Sequence, residues 1–265
     1  MASRIRFVLA AASLIVALPA MAQKPAHPAP AAADWAALAK LPDFNGVWEM
    51  APPGAGGREA GQPRARGVSG ALAAPALTPA YAAKALALAG QPKPEDNQSA
   101  NCLPPGMPAI MGQPYPIEIL LTPGQVTIVI EAYTQVRHIY TDGRPLPNDP
   151  DPTFFGTSAG RWEDNTLVVE TVGFAQAPRG LSFPYSDKMR IQERFRLADA
   201  DTLTVETMIT DPEALKTPYS MGARTFKRHR NWTIAEYICE ENNRNFVDEK
   251  GKAGINLANP EASPR

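Results

Sequence analysis

The chain has 265 residues, a formal net charge of −1, 28 prolines and only two cysteines. A nearly neutral chain has no electrostatic attraction for nucleic acid or for an anionic membrane surface, so neither is expected as a partner. The length is sufficient for one domain with a proper hydrophobic core.

The first 22 residues have the order of a secretory signal peptide. Arg4 and Arg6 precede an apolar run at 7–18, and the small-x-small triplet Ala20-Met21-Ala22 follows. The alternative is a membrane anchor, but the run is shorter than the roughly 20 residues that cross a bilayer, and no later run approaches that length. We therefore expect cleavage after Ala22, no integral membrane segment afterwards, and a periplasmic or extracellular protein.

The two cysteines, Cys102 and Cys239, are far apart in the sequence. Two cysteines in an exported chain usually pair, so a disulfide is predicted, with two free thiols as the alternative. Neither cysteine lies beside another Cys or a His, so a redox or zinc role is not indicated.

Composition divides the rest of the chain. Residues 23–40, rich in Ala, Pro and Lys, are predicted to be a flexible linker, and 41–265 a single domain with an irregular, Pro-rich insertion at 51–116. Residues 51–75 are either irregular or disordered. Thr78-Pro79 predicts a helix that begins at Pro79 and ends at Gly90, and 91–116 is predicted to be a loop around Cys102.

Hydrophobicity alternates with a period of two along most of the remaining chain, which indicates β-strands. Strands are predicted at 47–50, 117–121, 126–130, 136–140, 157–162, 167–172, 189–197, 203–209 and, as one strand or two, 225–239. Tight turns between most of them favour antiparallel neighbours. The chain is therefore expected to be mainly β, an antiparallel barrel or sandwich of about eight to nine strands with a partly helical insertion.

The alternation also predicts which side chains face the interior. Ile191, Glu193 and Phe195 share the apolar face of one strand, so Glu193 is expected inside the barrel, where a carboxylate needs a partner. Arg137, in phase with Ile139, is predicted to pair with Glu193 or with Glu131. Such a pair is either a structural network or part of a site in which one carboxylate is a general acid or base.

Further site candidates are Tyr140 as a proton donor and a set of ligand contacts: Trp48, His138, Phe195, Trp232 and Glu236. Glu236 shares the face of Trp232 on the predicted last strand. The histidines are isolated in sequence, so no metal is expected. The Gly-rich segment 54–57 lacks the Lys-Ser/Thr of a phosphate-binding loop, and no cofactor is expected.

Several motifs together resemble a family of exported bacterial proteins known mainly as uncharacterised sequences. They are LPDFNGVW at 41–48, PYPIE at 114–118, IYTDGR at 139–144, GRWE at 160–163, TLVVETVGF at 166–174, ERF at 193–195 and YICEEN at 237–242. The resemblance implies export but no particular activity. Members often carry His at the positions of Leu146 and Thr157.

Gly46-Val47-Trp48 is similar to the Gly-x-Trp that opens the first strand of lipocalin-like barrels. This similarity implies a closed barrel with Trp48 at one end and space for one small ligand inside.

These observations lead to three hypotheses. The first is a lipocalin-like protein whose internal cavity binds a small, largely hydrophobic or aromatic molecule. The second is a cofactor-independent lyase, isomerase or hydratase, with Glu193 or Glu131 as base, Tyr140 as proton donor and Arg137 stabilising negative charge. The third is a structural envelope protein whose filled barrel supports a contact surface at 51–116. The oligomeric state and the ligand are left open.

Overall fold

A computed structural model describes residues 29–51, 73–89, 102–176 and 180–239, and the backbone of a short hairpin further on. The predicted signal peptide and most of the predicted insertion before Cys102 lie outside the described residues. Among the residues described, no helix is long and apolar enough to cross a membrane.

Nine strands form a closed barrel, and their spatial order is their chain order. The strands are β1 Gly46–Met50, β2 Ile117–Thr122, β3 Gln125–Ile130, β4 Gln135–Tyr140, β5 Thr157–Glu163, β6 Thr166–Val172, β7 Arg190–Asp199, β8 Thr202–Thr210 and β9 Tyr219–His229. The pairing of β9 with β1 closes the ring. The hairpin of β10 Asn245–Val247 and β11 Ala253–Ile255 is separate. The prediction of a mainly β barrel with eight to nine strands is confirmed.

The one exception to the antiparallel order is the pairing of β4 with β5. These strands run parallel and share only two residue pairs, Ile139 with Ser158 and Tyr140 with Ala159. An odd number of strands cannot alternate in direction all the way round a closed ring, so one pair of neighbours must be parallel. The long connection at 141–156 makes this possible, because it returns the chain to the end of the barrel at which β4 began.

In the part of the chain that the structure describes, two α-helices and two 3₁₀ turns accompany the barrel. The helix α1, Ala32–Leu38, occupies part of the segment predicted to be a linker, and the Asp34 carboxylate accepts a hydrogen bond from the Ala31 backbone N–H at its start. The helix α2, Pro79–Ala89, begins where the sequence predicts. The predicted end at Gly90 lies outside the described residues. The turns are Ala109–Gly112 and Ala132–Thr134.

The barrel interior is filled mainly by large apolar side chains. Trp48, Ile128, Ile139, Phe195 and Phe226 are each at most 1% exposed. Side chains alternate along a strand, so every second residue of each strand points into the barrel. Apolar side chains therefore fill much of the space in which the sequence predicts a ligand cavity. Open recesses lie along the barrel wall.

The predicted last strand, 225–239, is wrong at both ends. β9 begins at Tyr219 and ends at His229, and residues 230–239 are irregular. The alternating residues Trp232 and Ile238 are 45% and 44% exposed, whereas the Tyr237 ring packs against the rings of Tyr115 and Tyr133. Two residues after Tyr237, Cys239 forms the predicted disulfide with Cys102.

Candidate functional site

An ion pair lies inside the barrel. Arg137 on β4 and Glu193 on β7 are joined through Nη2 and Oε2, and their side chains are 2% and 1% exposed. Arg137 is in phase with the buried Ile139 and Glu193 with the buried Ile191 and Phe195, and this alternation turns both side chains inward. The predicted pairing of Arg137 with Glu193 is confirmed.

Two hydroxyl groups extend this pair into a row across four adjacent strands. The Arg137 guanidinium donates to Ser158 Oγ on β5, at 3.3 Å from Nη2, and to Thr171 Oγ1 on β6, at 3.1 Å. The two hydroxyl oxygens lie 2.9 Å apart. We call Arg137, Ser158, Thr171 and Glu193 the polar belt. All four are buried among mainly apolar side chains.

The polar belt leaves hydrogen-bonding capacity unused. Arg137 Nη1, Glu193 Oε1 and Thr207 Oγ1 are buried and have no hydrogen-bond partner among the described residues. Thr207, on β8, lies directly opposite Glu193 in the strand register. A buried polar atom without a partner costs roughly 1–3 kcal/mol, so such atoms are uncommon unless water or a ligand satisfies them.

A second arginine faces the interior from β9. Arg224 is in phase with the buried Phe226, and it forms no ion pair with a described carboxylate. Burial lowers the pKa of Arg224, and the negative charge of Glu193 opposes this shift. The guanidinium lies against the turn Ala109–Gly112, because a Cβ added to Gly112 would be 3.3 Å from Arg224 Nη2.

An open cleft of about 530 Å³ lies on the barrel wall between β4 and the segment that leads into β5. It exists because the parallel strands pair at only two positions and diverge elsewhere. Its lining includes Gln135, Val136, Arg137, His138, Tyr140 and residues 152–158. Arg137 and Ser158 belong both to this lining and to the polar belt, so the cleft borders the two strands that carry one end of the belt.

His138 and Tyr140 border the outer part of this cleft. Both lie on the face of β4 opposite to Arg137 and Ile139, as the alternation requires. His138 Nδ1 is 3.2 Å from the side-chain nitrogen of Gln125, and the Arg144 guanidinium stacks 3.8 Å from the centre of the Tyr140 ring. The structure therefore places three predicted site residues at one cleft, Arg137, His138 and Tyr140, and the fourth, Glu193, is paired with Arg137 inside the barrel.

Three predicted site residues lie elsewhere. Glu131 follows the end of β3, and its carboxylate accepts a hydrogen bond of 3.0 Å from the Ala235 backbone N–H. Trp232 is 45% exposed and stacks on the His229 ring, with centroids 3.6 Å apart. Glu236 is exposed. Their predicted positions inside the barrel are wrong, because β3 ends at Ile130 and β9 ends at His229.

Two predicted ligand contacts are part of the packed interior. Trp48 is fully buried, and its indole N–H donates to the Phe44 carbonyl oxygen at 2.9 Å. The Arg228 guanidinium covers its ring at 4.5 Å. Phe195 lies two residues from Glu193 on the same face of β7 and is buried beside the polar belt.

The sequence prediction missed Ser158, Thr171, Thr207 and Arg224. The two threonines were accessible to the same argument that identified Glu193, since Thr171 is in phase with Val169 and Thr207 with Val205. Arg224 was missed because the last strand was predicted to begin one residue after it.

No protein-family model matches the chain, and no curated protein matches it in sequence. Within the described part of the chain, no group of three or more His, Cys, Asp or Glu side chains could hold a metal ion.

Proposed function

We propose that this chain is an exported small-molecule-binding protein whose ligand enters through the cleft beside β4 and reaches the polar belt. The observation that carries this proposal is that Arg137 Nη1 and Glu193 Oε1 are buried and have no hydrogen-bond partner among the described residues, while Arg137 also belongs to the lining of that cleft. Polar atoms of this kind fix the orientation of a ligand in a mostly apolar site. The buried apolar residues around them, including Ile139 and Phe195, suit a ligand whose remainder is hydrophobic or aromatic.

Export is supported by the disulfide. A bond between Cys102 and Cys239 persists in oxidising compartments and is rare in the cytosol. The order of basic, apolar and small residues at 1–22 agrees with it.

Native mass spectrometry of protein purified from its own host tests the binding proposal. The expected result is a small organic adduct that is lost from an Arg137→Met variant and kept in the control variant Arg196→Met, since Arg196 is on the exposed face of β7. A protein without adduct that also binds no compound from the host's periplasmic extract contradicts the proposal. That outcome favours a structural role at the cell envelope, for which a filled barrel is sufficient.

The unsatisfied Oε1 of Glu193 also favours a second candidate, a cofactor-independent proton-transfer enzyme. In this scheme Glu193 is the general base, the Arg137 guanidinium stabilises developing negative charge, and Tyr140 at the cleft is the proton donor. A Glu193→Gln variant should fold and keep its ligand while turnover is lost. Glu206→Gln, on the exposed face of β8, is the matched control. Equal turnover in the wild type and Glu193→Gln removes Glu193 from the mechanism.

A further inference from the structure

We propose that the cleft between helix α1 and one end of the barrel binds an organic cation with an apolar body. This cleft is separate from the one beside β4, although Tyr140 lines both. The proposal therefore adds a second binding site, and it does not depend on the polar belt.

The cleft has a volume of about 960 Å³, larger than the cleft beside β4. One wall is formed by α1, with Leu38, and by Leu41 after it. The opposite wall is formed by the hairpin turn of β2 and β3 at 121–126, by Tyr140 at the end of β4 and by Trp162 on β5. Helix and barrel thus surround one common space.

Helix α1 gains packing when this space is filled. It is seven residues long, and none of its residues is buried. Helices of this length are marginal in water without tertiary packing. Leu38, Leu41 and Trp162 line the cleft and are only partly buried, so the apolar body of a ligand would remove their exposed surface from water.

The charges of the described lining favour a cation. Two acidic side chains, Asp34 and Asp142, and one basic side chain, Arg144, give it a net charge of −1. Asp142 and Arg144 form an ion pair with each other. Asp34 accepts a hydrogen bond from the Ala31 backbone N–H and forms no ion pair with a described residue. Its carboxylate therefore attracts a positively charged ligand and repels a negatively charged one.

The aromatic rings of the lining reinforce this preference. The face of an aromatic ring attracts ammonium and guanidinium groups, and the indole ring does so most strongly. Tyr140 already has such a partner, since the Arg144 guanidinium lies 3.8 Å from the centre of its ring. Trp162 packs against the buried Phe44 and has no cation stacked on it among the described residues. The positive group of the ligand is therefore assigned to Trp162 and Asp34.

The test uses three probes with the same aromatic body and different charge: phenethylammonium, phenethyl alcohol and phenylacetate. Each is titrated at neutral pH into the full, disulfide-bonded and isotope-labelled chain, and NMR shifts report both affinity and location. We expect the ammonium ion to bind at least about fivefold more tightly than the alcohol, and phenylacetate to bind most weakly. Shifts are expected at the Trp162 indole N–H and the Gly124 amide. The Thr157 amide, which belongs only to the cleft beside β4, should not respond.

Asp34→Asn should lower the affinity for the ammonium ion by about threefold and leave the affinity for the alcohol unchanged. The asparagine oxygen can still accept the hydrogen bond from the Ala31 N–H, so α1 keeps its first turn. Asp187→Asn is the control, because the Asp187 side chain is 74% exposed and lies outside the cleft.

Equal affinity for the ammonium ion and the alcohol overturns the assignment of a cation, and so does an equal effect of Asp34→Asn and Asp187→Asn. Shifts confined to the cleft beside β4, or no binding of any probe, overturn the site itself. These results are distinct from a failure of the proposed function, which is judged by the adduct of the native protein and by its loss in Arg137→Met.

Discussion

At the scale of single residues, Arg137 and Glu193 are the most unusual feature of the molecule. Each is almost fully buried, and each is the other's charged partner. Removal of one partner leaves an uncompensated charge in an apolar interior, whereas replacement of both by apolar groups need not destabilise the fold. The pair can therefore be examined for stability separately from function.

We expect Arg137→Met to lower the free energy of unfolding by about 3–5 kcal/mol, since Glu193 is then buried alone. The double variant Arg137→Met, Glu193→Leu should recover most of this loss. Urea denaturation measures both. Arg161→Met is the control, because the ion pair of Arg161 with Glu163 is largely exposed and should contribute little. Equal stability of the Arg137 and Arg161 variants would show that the interior pair is hydrated.

A second residue-scale prediction concerns Tyr237 and alkaline pH. Burial, reinforced by the neighbouring Tyr133 and Tyr115, raises the pKa of Tyr237 to about 12. In an unfolded chain a tyrosine titrates near pH 10. The folded state thus favours the neutral phenol, so its stabilising contribution is complete below about pH 10 and is lost as the pH rises through about 12.

Denaturant midpoints measured between about pH 9 and pH 12 should fall less steeply in Tyr237→Phe than in the wild type. Tyr219→Phe is the control, since the ring of Tyr219 packs against Phe183 at another place in the fold. Parallel curves for all three proteins would show that Tyr237 does not titrate differently in the folded state.

At the scale of elements, the cleft depends on how the chain enters β5. Gly156, the residue before this strand, has a φ of +68°, and an added Cβ would lie 2.5 Å from the Val172 carbonyl oxygen and 2.9 Å from Thr171 Cγ2. Only glycine combines this backbone conformation with so close an approach. A larger residue at position 156 would therefore disturb both the wall of the cleft and the position of Thr171 in the polar belt.

Gly156→Ala should destabilise the protein by more than about 2 kcal/mol, because backbone strain and a steric clash act together. Gly143→Ala isolates the first effect, since Gly143 has a φ of +81° with open space around it, and should cost about 1 kcal/mol. Thermal or urea unfolding measures both variants. If the two glycine variants are equally stable, the segment before β5 has moved away, and the cleft is not rigid.

At the scale of the whole molecule, the disulfide joins segments that the barrel alone would leave separate. Cys102 precedes the turn Ala109–Gly112, whose Ile110 and Met111 belong to the hydrophobic core, and Cys239 follows the irregular segment after β9. The bond therefore ties the residues that pack on the barrel before β2 to those that follow its last strand.

Reduction should loosen residues 102–116 and 230–239 more than the strands. The two cysteines are separated by 137 positions, so the loop entropy released in the unfolded state corresponds to about 4–5 kcal/mol in the chain-entropy model. Hydrogen exchange of the Cys102→Ser, Cys239→Ser variant, compared with the wild type, measures the local effect. Equal protection of these segments in both proteins would contradict the proposed tie.

The sequence alone determined the strands except the last one, the disulfide and the inward position of Glu193, since each depends on local alternation or on the number of cysteines. Tertiary structure decided the rest. The parallel joint of β4 with β5, which opens the cleft, follows from closing a ring of nine strands. The row from Arg137 through Ser158 and Thr171 to Glu193 joins four strands, and local alternation does not determine which inward residues of different strands meet. Glu131 and Glu236 had similar local signals, and only the ends of β3 and β9 placed them outside the barrel.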